Sequence, residues 1–221
     1  MIPILLKLFL DHIFLKGQLI PELPSIKTSG YTIKGESIIY NSRENKISLV
    51  KNCYFENANY TAKASKITYW IEENKLLMEN AIIKSKDSRV LIKAGRIEFF
   101  GKSNTIKASG KPAIYSPEHR VKIEGKFLIY DMNKEVGKLW GGIKVISLKD
   151  RSILEGYSIT YSKRKETIDI FSRKNSLLRG IWKGDEILAR HIKIEMASGT
   201  VILTGKVRAT IHFGGAIPGK L

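Results

Sequence analysis

The sequence predicts an all-β fold made of six stacked supersecondary units, and three observations carry that prediction. A hexapeptide of fixed shape recurs: Gly35-Glu36-Ser37-Ile38-Ile39-Tyr40, Ala64-Ser65-Lys66-Ile67-Thr68-Tyr69, Ala94-Gly95-Arg96-Ile97-Glu98-Phe99, Gly125-Lys126-Phe127-Leu128-Ile129-Tyr130, Gly156-Tyr157-Ser158-Ile159-Thr160-Tyr161 and Ala189-Arg190-His191-Ile192-Lys193-Ile194. Its small residue falls at 35, 64, 94, 125, 156 and 189, with spacings of 29, 30, 31, 31 and 33. A near-constant period of this size marks stacked units. Seven residues after the last hexapeptide position another apolar residue follows: Ile47, Leu76, Ile106, Ile168 and Val201, with Val136 one place early in the fourth unit. Between the two apolar pieces lie Asn-, Gly-, Ser- and Asp-containing segments such as Glu72-Glu73-Asn74 and Gly101-Lys102-Ser103-Asn104. Period-2 apolar runs separated by such residues are strands joined by tight turns.

In chain order, Ile2 to Leu15 is apolar but interrupted by Lys7, Asp11 and His12. It is shorter than the roughly 20 apolar residues a spanning helix needs and lacks the basic start of a good export signal. Residues 1–22 are therefore expected to form a weak signal-like or membrane-proximal segment, cleaved or anchoring. Pro21 and Pro24 end any helix there. The repeat domain is expected over residues 23–213, with a loose tail at 214–221. Pro112 and Pro117 bracket Ala113-Ile114-Tyr115-Ser116, which predicts an edge strand or a turn, since proline donates nothing to a ladder. The extra residues between Phe171 and Ile187 predict a longer loop or hairpin.

Residues i and i+2 share a face of a strand. Ile38 with Tyr40, Ile67 with Tyr69, Ile97 with Phe99, Leu128 with Tyr130, Ile159 with Tyr161 and Ile192 with Ile194 then line one apolar strip, while Lys66, Thr68, Arg96, Glu98, Ser158 and Thr160 face the other way. Such a strip is either a plain hydrophobic core or a greasy binding surface. The chain carries 38 Lys plus Arg against 21 Asp plus Glu, a net charge of +17. That surplus favours an anionic partner or simply a solubilising surface. Cys53 is the single cysteine, so no intrachain disulfide forms.

Catalytic patterns are missing: there is no phosphate loop, nucleophile elbow or metal-spaced Cys/His set. The adjacent pairs Glu72-Glu73 and Asp185-Glu186 would point to opposite faces of a strand. No enzyme activity, cofactor or metal is expected. Tyr161-Ser162-Lys163-Arg164-Lys165 sets an aromatic beside cations as a single-stranded nucleic-acid surface does. The tyrosine belongs to the inward pattern, however, and the cations fall at a predicted turn, so nucleic acid is not the favoured partner.

Small-x-x-Ile-x-Tyr, a turn with Asn, a Leu or Ile, and then a Gly-ended strand such as Val201-Ile202-Leu203-Thr204-Gly205-Lys206-Val207 resembles the OstA-like family. Its members are the periplasmic lipopolysaccharide-transport proteins LptA and LptC and the N-terminal domain of LptD. The resemblance runs over roughly residues 32–211. It implies a slightly open β-jellyroll, a folded-over antiparallel sheet with a greasy interior, and it implies no catalysis and no cofactor. It makes the twelve strip residues a lipid groove and places the chain in the periplasm, with lipopolysaccharide or another anionic glycolipid as cargo. Head-to-tail self-association and pairing with other Lpt-type jellyrolls would follow at the ends, near 31–40 and 201–211, through strand addition to open sheet edges. One strand per unit in a wall at about 4.8 Å spacing gives an expected span on the order of 30 Å. A ligand-free structural β-solenoid and a basic nucleic-acid-binding β protein remain the alternatives.

Overall fold

A computed structural model of the chain describes residues 25–27, 31–58, 60–87, 90–182 and 185–210. The expected N-terminal segment at 1–22 and tail at 214–221 lie outside the described residues. Nineteen strands run in sequence: β1 (Ser25–Lys27), β2 (Tyr31–Lys34), β3 (Ser37–Asn41), β4 (Lys46–Asn57), β5 (Tyr60–Trp70), β6 (Lys75–Ser85), β7 (Leu91–Phe100), β8 (Thr105–Ser109), β9 (Ala113–Ser116) and β10 (Val121–Glu124). They continue as β11 (Phe127–Asp131), β12 (Val136–Ser147), β13 (Ile153–Ser162), β14 (Thr167–Phe171), β15 (Leu178–Trp182), β16 (Asp185–Ala189), β17 (His191–Glu195), β18 (Thr200–Thr204) and β19 (Arg208–Thr210). No helix occurs among the described residues, and every pairing is antiparallel. The all-β, folded-over sheet expected from the repeats is the fold found.

The six long strands β4, β5, β6, β7, β12 and β13 explain the folding-over, because each serves two walls. In β4, residues 46–50 pair with β3 and with 66–70 of β5, whereas residues 53–57 pair with β2 and with 61–64 of β5. The first wall then runs β3, β4, β5, β6, β7, β8, β11, β12, β13, β14, β17, β18. The second runs β1, β2, β4, β5, β6, β7, β9, β10, β12, β13, β15, β16, β19. Each unit gives the first wall a hairpin, not one strand. Its twelve strand segments at about 4.8 Å spacing span about 53 Å, which corrects the shorter expected span.

The bend between the walls gives the small residue of each hexapeptide its meaning. Gly35, Ala64, Ala94, Gly125, Gly156 and Ala189 all sit on this fold line. A Cβ on Gly125 would lie 2.7 Å from Leu139 Cγ, and one on Gly156 would lie 2.5 Å from Leu178 Cδ2. Ala64, Ala94 and Ala189 are buried at the same place. Bulges assist the bend. The register of β4 shifts between Val50 and Cys53, where Lys51 and Asn52 have φ of 59° and 48°. That of β12 shifts between Trp140 and Ile143, where Gly141 and Gly142 have φ of 94° and 87°. An inserted residue bends a strand and disrupts its ladder locally.

Two expectations need correction. Ala113-Ile114-Tyr115-Ser116 is neither an edge strand nor a turn, because β9 pairs with both β7 and β10. Pro112 and Pro117 stand just outside it, where no ladder donor is required. The fourth unit does not slip either. Tyr130 is in register with Gly137, as Tyr40 is with Ile47 and Tyr69 with Leu76. The apolar slot there holds a glycine, and the Tyr130 ring covers it at 3.1 Å from where a Cβ would stand.

The first-wall turns form a ladder of their own. Asn45, Asn74, Asn104, Glu135 and Glu166 have φ of 43° to 54° at equivalent positions, and Gly199 has 68°. Each carbonyl from Asn45 to Glu166 accepts the N–H that opens the next turn: Ile71, Gly101, Met132, Lys163 and Met196, at 2.8–3.1 Å. Asn adopts this left-handed conformation at less cost than Glu does. Glu166→Asn is therefore expected to stabilise the protein by about 0.5–1 kcal/mol, seen as a raised urea midpoint with unchanged slope. A lowered midpoint would show that the Glu166 side chain matters more than its backbone strain.

Candidate binding groove

Register makes the interior of the first wall two continuous rows. The inner row, next to the fold line, passes Ile38, Leu49, Ile67, Met78, Ile97, Ala108, Leu128, Leu139, Ile159, Ile170, Ile192 and Leu203. The outer row passes Tyr40, Ile47, Tyr69, Leu76, Phe99, Ile106, Tyr130, Gly137, Tyr161, Ile168, Ile194 and Val201. All twelve residues singled out from the sequence lie on these rows, one from each pair per row. They form one surface along the whole wall.

Burial differs between the rows. Ile67, Ile97, Leu128, Ile159 and Ile192 of the inner row are buried in the core, while Ile38 at its end is half-buried. In the outer row Tyr69, Phe99 and Ile194 pack against that core but stay half-buried, as do Tyr130 and Tyr161. Tyr40 departs from the expectation of an interior residue: it is 37 % exposed. Its strand β3 is the edge of the wall, so nothing lies over one side of the ring. Val201 in the opposite edge strand is 57 % exposed for the same reason.

The second wall supplies a matching strip that the repeats did not announce. Phe55, Ile83, Ile92, Ile114, Ile123, Val145 and Leu154 are half-buried against the same core. Ala62, in register with Phe55 and Ile83, is buried within this strip, and between the strip and the fold line lie Cys53, Ala81 and Ile143, all buried. The interior is thus sealed at the fold line and open along the far edges, with half-buried apolar side chains on both walls. Tyr60, on the second wall beyond Ala62, comes near enough to Tyr130 to act on its hydroxyl. Burial first, then Tyr161, Glu135 and Tyr60, hold the Tyr130 phenol above its ordinary range, against the pull of Lys163.

The lips of the groove are polar. Tyr40 and Tyr69 each donate to the Asn five residues on, Asn45 Oδ1 at 3.3 Å and Asn74 Oδ1 at 3.2 Å. The first-wall turns expose Lys102, Lys134, Lys163, Arg164 and Lys165. Lys163 donates to Glu135 at 2.6 Å, which lowers the carboxyl pKa and raises that of the ammonium. On the outer face, burial would raise the Glu98 pKa, but hydrogen bonds from Arg96 and Lys75 outweigh it and leave it lowered. The Cys53 thiol is pushed up, first by burial.

Sequence spacing also missed a contact on the outer face. His191 Nε2 lies 2.9 Å from Asp169, its Nδ1 lies 3.3 Å from Thr204 Oγ1, and its ring stacks on Phe171 at 4.5 Å. These residues are cross-strand neighbours that tie the edge strand β18 to β17 and β14. Glu72 and Glu73 fall in a turn, and Glu186 pairs with Arg179 at 2.7 Å. No group of His, Cys, Asp and Glu among the described residues has a metal-binding arrangement.

No family model and no curated protein matches the sequence. Among solved structures, the chain is similar to the crystal structure of LptH, the LptA homologous periplasmic component of the conserved lipopolysaccharide transport device from Pseudomonas aeruginosa. The identity is 9%, the TM-score is 0.23, and the match covers 86% of this chain and 99% of that one. At that TM-score the likeness adds no weight, and the fold rests on the strand pairing described above.

Proposed function

We propose that this chain is a non-catalytic lipid-binding bridge protein of the periplasm, one that carries lipopolysaccharide or a related anionic glycolipid towards the outer membrane. The observation that carries the reading is the incomplete burial of the two outer strips above a sealed floor. A ligand-free β-solenoid would be expected to fill its interior, because protein interiors are close-packed. Here an acyl chain laid between Phe99, Tyr130 and Tyr161 on one side and Ile92, Ile114 and Val145 on the other completes the packing. Each methylene so buried contributes about 0.8 kcal/mol, so partial insertion of several chains gives useful affinity. The anionic headgroup stays outside, against the cations of the lips.

Bridging requires ends that pair. The edge strands β3 and β18 close the first wall, and β1 and β19 close the second, among the described residues. Exposed apolar side chains gather there, with Ile39 58 % exposed and Ile202 and Val207 also exposed. Unpaired edges of this kind accept a further strand from the next copy or from another jellyroll.

The test is photocrosslinking in cells. Crosslinkers replacing Phe99 and Tyr130 are expected to capture lipid, while one replacing Lys66, whose ammonium pairs with Glu79 on the outer face at 3.9 Å, is not. A folded, exported protein that captures no lipid at the two inward positions would make the rows a plain core.

A further inference from the structure

We propose a second binding site, on the outside of the fold line, for a phosphorylated saccharide. It is a cleft of about 600 Å³ over the bends of β12 and β13, on the opposite side of the sheet from the groove. Two departures from the repeat build it. Most crossings of the fold line between separate strands take one to three residues, as at 35–36, 110–112, 125–126 and 190, but that from β14 to β15 takes six, 172–177. The extra residues make a raised lip, closed on itself by Ser176 N–H and Oγ donating to the Arg173 carbonyl at 3.0 and 2.9 Å. Leu178, fully buried, anchors its end. The floor is Gly141 and Gly142, whereas the matching bulge in β4 carries the side chains of Lys51 and Asn52.

The lining pairs aromatic faces with uncommitted cations. Phe127 and Trp140 lie 5.7 Å apart with their rings tilted by 31°, and Phe127 and Tyr157 are 46 % and 41 % exposed though the core is close by. Lys126 and Arg173 line the cleft and have no ion-pair partner among the described residues. Arg179 is held by Glu186 at 2.7 Å, and Glu155 is balanced by Lys144 at 3.4 Å. Two free cations beside matched charges call for an anion, and a guanidinium takes a phosphate through two parallel hydrogen bonds. Exposed ring faces suit the C–H face of a sugar, while the Glu155 carboxylate and the Ser176 hydroxyl serve its hydroxyl groups. A bare anion would leave the three rings without a role. A nucleic-acid strand needs a track of successive stacking rings, not one cleft closed by a lip.

The site does not depend on what the interior groove carries. The test titrates the full chain with glucose 1-phosphate, glucose and inorganic phosphate, following the Trp140 indole N–H by NMR. Glucose 1-phosphate is expected to shift that resonance and to bind more tightly than either fragment. The pair Lys126→Ala and Arg173→Ala, both exposed, should weaken binding by at least about tenfold, the scale of one lost charge-assisted hydrogen bond. Tyr157→Ala should weaken glucose 1-phosphate without affecting phosphate, and Lys93→Ala, an exposed cation elsewhere on the sheet, should change nothing. No shift of the Trp140 resonance, equal affinity for inorganic phosphate, or binding that survives the double substitution would each overturn the proposal.

Discussion

Replacing Gly156 by valine is expected to destabilise the protein by about 3 kcal/mol, the scale of forcing extra carbons into a filled core. The added Cβ would stand 2.5 Å from Leu178 Cδ2 and 3.3 Å from the Phe171 carbonyl oxygen, and Leu178 has no room to retreat because it is fully buried. The clash opens the fold line where the walls meet, so both walls lose packing together. Gly180→Ala is the control. Its Cβ would meet nothing closer than 3.6 Å, at Leu154 Cδ1, and stability should change by less than about 0.5 kcal/mol. Urea unfolding of the two variants separates the cases. Equal midpoints would mean that the walls do not meet tightly at Gly156, and the small residue in each repeat would lose its explanation.

The second large effect concerns the two rows. Ile97→Asp is expected to leave the protein unfolded or nearly so. Ile97 is 1 % exposed among Met78, Ala108 and the second wall, and a carboxylate there has neither water nor a partner. Phe99→Asp, two residues on, should behave differently. Its place in the half-buried outer row lets the carboxylate reach the open side, so the fold is kept at a cost of about 1–2 kcal/mol. Lipid capture by a crosslinker at Tyr130 should nevertheless fall sharply, because the charge lies in the path of the acyl chains. If Phe99→Asp unfolds the protein as Ile97→Asp does, the outer row is core and the interior is closed. If it folds and captures lipid undiminished, the cargo does not pass that row.

Much of this architecture is legible in the repeats, and the places where legibility fails share a physical origin. The pairing of Ile67 with Tyr69 and of Ile97 with Phe99 can be read because alternation holds within each straight half of a strand. It does not hold across the bend. In β5, Ala62 and Ala64 are buried, and so is Ile67, an odd step that falls opposite the extra residue of β4 between Val50 and Cys53. Period-2 reading carried through that point assigns Ala64 to the face of Lys66 and hides the second wall. The strip of Phe55, Ile83, Ile92 and Ile114 is hidden for this reason, although its residues alternate normally within the second wall. Gly137 was unreadable for another reason. An apolar slot filled by a neighbouring ring, Tyr130, leaves no apolar letter in the sequence. The cleft at Gly141 and Gly142 left traces in the long 171–187 unit and in the paired glycines, yet only their juxtaposition across β12, β13 and the 172–177 crossing gives those traces a chemistry.

The turn ladder has a consequence for how such a molecule changes size. Each turn from 42–45 to 163–166 is fastened to the next by one carbonyl, and each hairpin touches only the hairpins beside it. Energy in such an array is a sum over units and nearest neighbours. The reach of the molecule is therefore quantised. Duplicating one thirty-residue segment lengthens both walls by the same two strands, about 10 Å, and leaves every existing neighbour in place. Deleting a segment shortens them equally. A wider gap can be matched, in steps of that size, by copying text already in the gene, without redesigning a core.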